Sequence, residues 1–345
     1  MNSQPDRRVL LVSQAERGSR LDRWLVARCP QLSRARLQQL IEAGLVQVNG
    51  AAAKASQKLR GGEHVMVEAR PRPPLRAEAE SIPLDIRYED EDLLVVNKPA
   101  GMSVHAGAGN SRGTLVNALL GRGQPLSRSG ISGNDQAALR PGIVHRLDKG
   151  TSGLMVIAKN DVAHAKLAES FRTRTVKKSY LALVEGGLEK TSGTIAFPIG
   201  RDPVRRTRMR AFPAAAKSAN RARPGVTREA LTEWRILANF GPATLLLVQL
   251  HTGRTHQIRV HLSAIGHPLV GDALYGAAEN LRAGKSDLPV FGRQFLHAAR
   301  LGFPHPRSGQ WIEVSAPLPG DLRQFLEILE KSTDRSLAPL SEYFA

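Results

Sequence analysis

Cysteine is almost absent from this 345-residue chain: Cys29 stands alone. One thiol closes no internal disulfide and cannot build a cysteine-rich zinc site. The expected setting is therefore a reducing, cytoplasmic compartment. Long apolar runs are also missing. No stretch reaches the ~18 residues that a membrane-spanning helix needs. The N-terminal MNSQPDRRVLLVSQAERGSR lacks the apolar core of a secretory signal. Acidic residues are scarce beside basic ones, 31 against 49, which leaves a net charge of +18 and a pI near 10.8. Such a surplus repels itself unless a polyanion is the usual companion. Nucleic acid is the first candidate, because neutralising phosphates releases counterions. An anionic membrane surface is the competing partner. Hydrophobic residues at 41% and charged residues at 23% are ordinary for a folded chain. The length allows one large domain and one small one.

Residues 1–18 read as an N-terminal tail leading into a short strand at Val9 to Val12. A compact unit follows over 19–69. Leu21, Trp24 and Leu25 share one helix face. Ser33 is placed to cap a second helix whose buried stripe is Leu37, Leu40 and Ile41, with Gly44 ending it. Val46 and Val48 alternate as a strand before a tight turn at Asn49-Gly50. A second strand, His64 to Val67, follows. Arg34 and Arg36 open the second helix, where the dipole disfavours cations but suits phosphate. Between residues 20 and 60 there are eight basic residues and two acidic, either a solvated basic face or an RNA-docking surface. Arg20-Leu21-Asp22, Ser33-Arg34-Ala35-Arg36 and Gly44-x-Val46-x-Val48-Asn49-Gly50 together resemble the S4 RNA-binding domain.

Residues 70–83 are rich in proline and charge and read as an extended, exposed linker. A catalytic-sized domain is expected over 84–330, with a C-terminal tail at 331–345. Within it Leu93 to Val96 reads as a buried strand and Lys98 to Gly101 as a turn. Leu154 to Ala158, Tyr180 to Val184, Leu231 to Ile236 and Leu245 to Leu250 read as further strands, Asp161 to Phe171 and Thr255 to Ile265 as helices. Strand runs with a few helices outside predict an α+β fold on a mixed, largely antiparallel sheet. Residues 201–228 differ: nine basic residues, one acidic and little periodicity. This segment is a mobile surface loop, an RNA clamp that orders on contact, or both. Arg205, Arg206 and Arg208 are its expected RNA contacts.

Chemistry concentrates at Pro141 to Lys159. An apolar strand, Ile143-Val144, runs into His145-Arg146-Leu147-Asp148, and a glycine-containing turn follows. Arg146 and Lys149 flank Asp148, so the ionised carboxylate is expected, a nucleophile or base rather than a general acid. Local features alone favour a plainer role, an aspartate satisfying turn amides. A second cluster spans Leu250 to Gly276. Thr255 is placed to cap a helix ending at Gly266, with Ile258, Leu262 and Ile265 facing the core. Arg259 falls at the edge of that buried face and needs a carboxylate partner. His256, His261 and His267 are spaced wrongly for a metal on one helix face. Lys177-Lys178-Ser179-Tyr180 opens a strand, and Phe295-Leu296-His297-Ala298 reads as a core strand.

Taken together, His145-Arg146-Leu147-Asp148, Gly253-Arg254-Thr255-His256-Gln257-Ile258-Arg259-Val260-His261, Gly271-Asp272-x-x-Tyr275-Gly276 and Leu296-His297-Ala298 resemble the RluA family of pseudouridine synthases, over about residues 84 to 325. His105 to Asn110 and Leu115 to Leu120 are similar to the RluD-type branch, with Ala106 where that branch usually has proline. The resemblance implies an enzyme that turns uridine into pseudouridine in RNA without cofactor or metal. It implies that Asp148 is the essential carboxylate, attacking C1′ or removing a C2′ proton, and that Arg259 pairs with it. Tyr180 would stack on uracil and assist proton removal at C5. Leu296 would pack below the ring, and Arg146 would fill the space left by the flipped nucleotide, with His145 beside it. The expected partner is large-subunit (23S) ribosomal RNA, at the helix 69 loop, met by a monomer with no membrane association. Another rRNA or tRNA site is the second substrate. Two other classes stay open: a non-catalytic ribosome-assembly factor, and a hydrolase pairing Asp148 with a second acid such as Asp272.

Overall fold

A computed structural model describes residues 6–29, 32, 34–69, 77–105, 112–127, 140–205, 207–213, 227–283 and 286–333. The chain divides into two units, Met1–Pro74 and Leu75–Ala345.

In the first unit, β1 (Asp6–Leu11), β2 (Val46–Val48), β3 (Ala51–Ala52) and β4 (His64–Ala69) form a four-stranded antiparallel sheet in the order β1-β4-β2-β3. The helices α1 (Leu21–Arg28) and α2 (Arg34–Glu42) pack on it through Leu21, Trp24, Leu25, Leu37, Leu40 and Ile41. Gly44 ends α2 at φ 71°, and Asn49 and Gly50 turn the β2–β3 hairpin with φ of 50° and 79°, the paired left-handed geometry of a type I′ turn. Residues 6–11 are not a tail: they pair with β4 along its whole length. The pairing is long-range, and the strand begins three residues before the expected start at Val9. Ser33 lies outside the described residues.

In the second unit the strands β5 (Asp85–Glu89), β6 (Leu93–Lys98), β7 (Ser152–Ala158), β8 (Lys177–Glu185), β9 (Ser192–Ile195), β12 (Thr232–Asn239), β13 (Ala243–Leu250) and β16 (Leu296–Pro304) form one sheet in the order β5-β6-β7-β16-β8-β13-β12-β9, and β17 (Trp311–Ser315) joins β16. Its described pairings are antiparallel except β7 with β16. The expected mixed, largely antiparallel α+β fold is what forms. Two short hairpins lie outside this sheet, β10 (Ile199–Arg201) with β11 (Met209–Ala211) and β14 (Arg282–Ala283) with β15 (Ser286–Asp287).

Both sheet faces are covered, which explains the near-continuous apolar runs in the central strands. Alternate residues such as Leu94, Val96, Met155, Ile157, Leu246 and Val248 face α3 (Leu115–Gly121) and α5 (Gln257–Ala264). Leu93, Val95, Leu154 and Val156 face α4 (Asp161–Arg172) on the other side. There, too, Leu181, Leu183, Leu245 and Phe295 meet α6 (Gly320–Thr333) through Leu322, Phe325, Leu326 and Leu329. This last helix runs past the expected domain end at residue 330. The linker also ends sooner than its composition suggests. Glu80 donates its N–H to the Asn117 carbonyl at 3.0 Å, and Asn117 Nδ2 donates to the Glu78 carbonyl at 2.7 Å. Ile143 forms only an isolated bridge to Ile157, so Ile143-Val144 is loop rather than strand.

The parallel β7–β16 contact depends on Gly153. Its φ is 116°, and a Cβ there would overlap the backbone of Ala298. Gly101 is also left-handed, at φ 84°, but has open space around it. Gly153→Ala is expected to lower the unfolding free energy by about 3 kcal/mol or more, from overlap and backbone strain together. Gly101→Ala is expected to cost about 1–2 kcal/mol from backbone alone. Denaturant unfolding of both variants checks the difference, and equal losses would mean that β7 and β16 are not closely packed there.

Candidate active site

Asp148 sits in the loop that feeds β7, directly after the buried Leu147. The turn beyond it is closed by the main chain: the Asp148 carbonyl accepts the Thr151 N–H at 3.0 Å. The carboxylate points elsewhere. Its Oδ2 accepts from Arg259 Nη1 at 3.2 Å. Arg259 rises from α5, and its own anchor is Asp272. Nε donates to Asp272 Oδ2 at 2.7 Å and Nη2 to Asp272 Oδ1 at 2.8 Å. Fork-on-fork pairing of this kind fixes the plane of the guanidinium as well as its position. Burial alone would lower the Arg259 pKa, but Asp272 and then Asp148 raise it above its ordinary value. The Tyr275 ring lies 4.9 Å below the guanidinium carbon.

Asp148 and Arg259 line a cleft of about 520 Å³ together with Tyr180, from β8, and Leu296, from the start of β16. The volume suits a nucleoside-sized ligand. Tyr180 is 7% exposed and Leu296 4%, so each offers a single edge or face to the cavity. Burial, and then Asp148, push the Tyr180 phenol well above its ordinary pKa. Arg146 is exposed on the rim, and Arg172, Arg174, Lys178 and Arg254 line the same walls. Burial holds the Lys178 ammonium down to about 8. A cleft with one carboxylate on its floor and cations on its walls suits the neighbourhood of a phosphodiester.

A sequence model described as RNA pseudouridylate synthase matches residues 92–264, and one described as S4 domain matches residues 19–65. The chain belongs to the RNA pseudouridylate synthase family. The synthase is 44% identical over 322 residues to ribosomal large subunit pseudouridine synthase D of Nitrosomonas europaea, with 93% of this chain and 87% of that one aligned. It is 41% identical to the protein of the same name from Escherichia coli O6:H1, covering 92% of this chain and 93% of that one. An RNA pseudouridine synthase of Chloroflexus aurantiacus is 47% identical, over 94% of each chain. Among solved structures, human RNA pseudouridylate synthase domain containing 1 superposes with a TM-score of 0.54 at 29% identity, covering 76% of this chain and 95% of that one.

The synthase places some sequence-derived residues differently from expectation. His145 lines the cleft, and its ring is held in place from behind. Its Nε2 accepts the Val156 N–H at 3.0 Å, and its ring stacks on Phe171 at 4.5 Å. Burial, with Lys178 adding to it, lowers its pKa to about 3, so it is a neutral wall that aligns the Asp148 loop with β7. The α5 helix begins at Gln257, and its N-cap is His256 in a left-handed conformation rather than Thr255. Arg208 Nε is paired with the buried Asp202 at 2.7 Å, and Asp202 Oδ1 also accepts the Arg205 N–H at 3.0 Å. Asp202 thus shapes a turn in the basic segment, which carries β10 and β11 rather than lacking structure throughout. The side chains of Arg34 and Arg36, all of Arg206, and Ala106 to Asn110 lie outside the described residues.

Several site residues escaped the sequence reading. Asp272 stood out only as part of a motif, yet it holds Arg259, and because both its oxygens are used it offers no second acid for a hydrolase. Lys98 reads as a turn residue but is fully buried. Its Nζ donates to the carbonyls of Pro99 at 2.7 Å and Met102 at 3.0 Å, and the Lys149 carbonyl lies at 3.5 Å. Burial, reinforced by Arg293 and opposed by Asp148, lowers its pKa to about 7. His256, His261 and His267 of the second cluster take separate partners, His256 to Tyr275, His261 to Thr232 and Phe197, and His267 to Glu185. Among the described residues one group has metal-ligand spacing, Asp90, Asp92 and His305. Arg307 already covers both Asp92 oxygens at 2.7 and 2.8 Å, so the group staples the β5–β6 and β16–β17 turns.

Removing Asp272 leaves the buried guanidinium with Asp148 alone. Asp272→Ala is expected to cost about 3–5 kcal/mol of stability, the usual result of stripping one partner from a buried pair. Denaturant unfolding measures it, and a loss below about 1 kcal/mol would mean that the pair behaves as a surface one.

Proposed function

We propose that this synthase isomerises specific uridines of large-subunit ribosomal RNA, with the helix 69 loop as its target and Asp148 as the reacting carboxylate. The observation that carries this reading is the Asp148 carboxylate, 3.2 Å from Arg259, on the floor of a cleft that Tyr180 and Leu296 also line. The names of the Nitrosomonas and Escherichia relatives support the choice of RNA, and the S4 unit supplies a second basic surface for it.

In the reaction the N1–C1′ bond breaks, the base turns, and a C5–C1′ bond forms. The proton leaves C5 and N1 gains one, so the change is an isomerisation and no electrons enter or leave. The target base must first leave its stack, at a cost of about a few kcal/mol, which phosphate contacts on the cationic walls offset. Asp148 reacts at C1′ or removes the C2′ proton, and Arg259 keeps its lone pair aimed. Tyr180 stacks on the uracil as a neutral phenol, since its raised pKa makes a phenolate base costly. Leu296 packs under the ring, and Arg146, on the rim, fills the gap in the RNA. The protein acts in the cytoplasm as a monomer during ribosome biogenesis.

Tritium release from [5-³H]uridine-labelled large-subunit rRNA tests the chemistry. Wild type is expected to release label and Asp148→Ala none. Release by both would place the chemistry on another residue. Bound RNA without release by either would favour the assembly-factor reading. Helix 69 retaining its full set of pseudouridines in a deletion strain would rule out that target.

The basic segment is the proposed clamp. Neutralising Arg205 and Arg206 is expected to weaken RNA binding and flatten the slope of log Kd against log salt by about 0.7–0.9 per lost phosphate contact. Arg208, already balanced by Asp202, is expected to contribute less. An unchanged slope would remove the clamp.

A further inference from the structure

Two groups at the cleft, His256 on its wall and Tyr275 behind it, have no part in the reaction as described above. His256 caps α5 with φ 56° and ψ 23°, a left-handed backbone that a residue other than glycine holds only where its surroundings impose it. Its side chain makes no capping bond to the helix. Instead Nδ1 lies 2.8 Å from the Tyr275 hydroxyl, and Nε2 lies 3.9 Å from Asp148 Oδ1. The two oxygens of Asp148 therefore face different partners, Arg259 at Oδ2 and His256 at Oδ1.

Tyr275 meets His256 at Nδ1, where the direction of the bond and the tautomer of the imidazole fix one another. Its hydroxyl oxygen accepts the Met209 N–H at 2.9 Å. Burial pushes the phenol up to about 12, and a neutral hydroxyl that accepts from Met209 and donates to His256 Nδ1 has its proton and a lone pair both in use. Burial also holds His256 below the ordinary imidazole value, with Asp148 opposing and Arg259 reinforcing that effect. A neutral imidazole accepting at Nδ1 bears its hydrogen on Nε2, facing Asp148. At 3.9 Å this contact is electrostatic, and such contacts tighten when a ligand fills the site.

The far end of the chain is the basic hairpin. Met209 opens β11, and Arg201 and Arg210 belong to the same hairpin. It packs through Ile199 and Ala211 in one cluster with Val260 of α5 and with Tyr275. The same Tyr275 ring supports Arg259, so one phenol touches both groups that face Asp148.

We propose that His256 and Tyr275 are positioning residues that link the basic hairpin to the carboxylate of Asp148, so that RNA held on the hairpin and the aim of the carboxylate are set through two hydrogen bonds and one charge contact in series. The proposal rests on the reading of Asp148 as the reacting group. It makes hairpin contact a condition for fast reaction: a short RNA that offers uridine to the cleft without reaching β10–β11 reacts slowly even when saturating.

The test uses the full chain and large-subunit rRNA carrying [5-³H]uridine. Single-turnover release and RNA Kd are measured for wild type, Tyr275→Phe, His256→Asn, His256→Gly and Asp148→Ala. The first two variants are expected to bind RNA as wild type does and to release label ~10- to 100-fold more slowly, the scale of a misaimed reacting group. His256→Gly suits the left-handed backbone, so a purely structural residue 256 would tolerate glycine; the proposal expects it to be slow as well. Imidazole nitrogen NMR of the wild-type protein is expected to show the hydrogen on Nε2 of His256, and Tyr275→Phe to lose that single tautomer. In wild type, Arg201→Ala with Arg210→Ala is expected to lower the rate of the saturated complex; in the Tyr275→Phe background the pair is expected to weaken binding only. Wild-type rates in Tyr275→Phe and His256→Asn, with Asp148→Ala inactive, would overturn the proposal, as would a hydrogen on Nδ1 in wild type or additive effects of hairpin and Tyr275 changes. An active Asp148→Ala would instead overturn the reading on which it rests.

Discussion

The guanidinium of Arg259 is held by two carboxylates at once, and the geometry of the cleft follows from that. A buried cation is costly unless paired and hydrogen-bonded on all sides. Asp272 takes Nε and Nη2, Asp148 takes Nη1, and the Tyr275 ring covers a face. The division is unequal. Asp272 is 2% exposed and spends both oxygens on the arginine, whereas Asp148 gives up one and keeps the other toward the cleft. One carboxylate is structural so that the other can be aimed.

The scaffold delivers these groups from distant parts of the chain. Asp148 comes from the loop before β7, Arg259 from α5, Asp272 from the turn beyond that helix, Tyr180 from β8 and Leu296 from β16. The strands are neighbours because the sheet places β7 beside β16 and β16 beside β8. Close approach at Gly153, the ammonium of Lys98 under three carbonyls and the imidazole of His145 on the β7 backbone each pin the Asp148 loop from a different side.

Much of the architecture is legible in the sequence because its signals are local. The alternation in Val46-x-Val48, the apolar runs of β6 and β13, and Gly44 and Gly266 as helix ends all act over a few residues. The α+β class follows from their order. The motifs around Asp148 and Arg259 are legible as motifs, and the need of Arg259 for a carboxylate follows from its place at the edge of a buried face. What escaped depends on long-range pairing. The early start of β1, at Asp6 rather than Val9, comes from pairing with β4, and Asp272 meets Arg259 only because the chain doubles back after α5. Lys98 looks like a surface turn residue until the Lys149 loop covers it. Nothing near His145 in sequence announces that Phe171 and Val156 will hold its ring.

Replacing Arg259 by lysine keeps the charge and removes the fork, so the two carboxylates can no longer be held in one fixed plane. The decisive measurement is the single-turnover rate of Arg259→Lys on saturating rRNA, with the RNA Kd measured alongside. The account predicts an unchanged Kd and a rate lower by ~100-fold or more, equivalent to about 2.7 kcal/mol of barrier. A wild-type rate in that variant would contradict it, because the carboxylate of Asp148 would then need no aiming by the guanidinium.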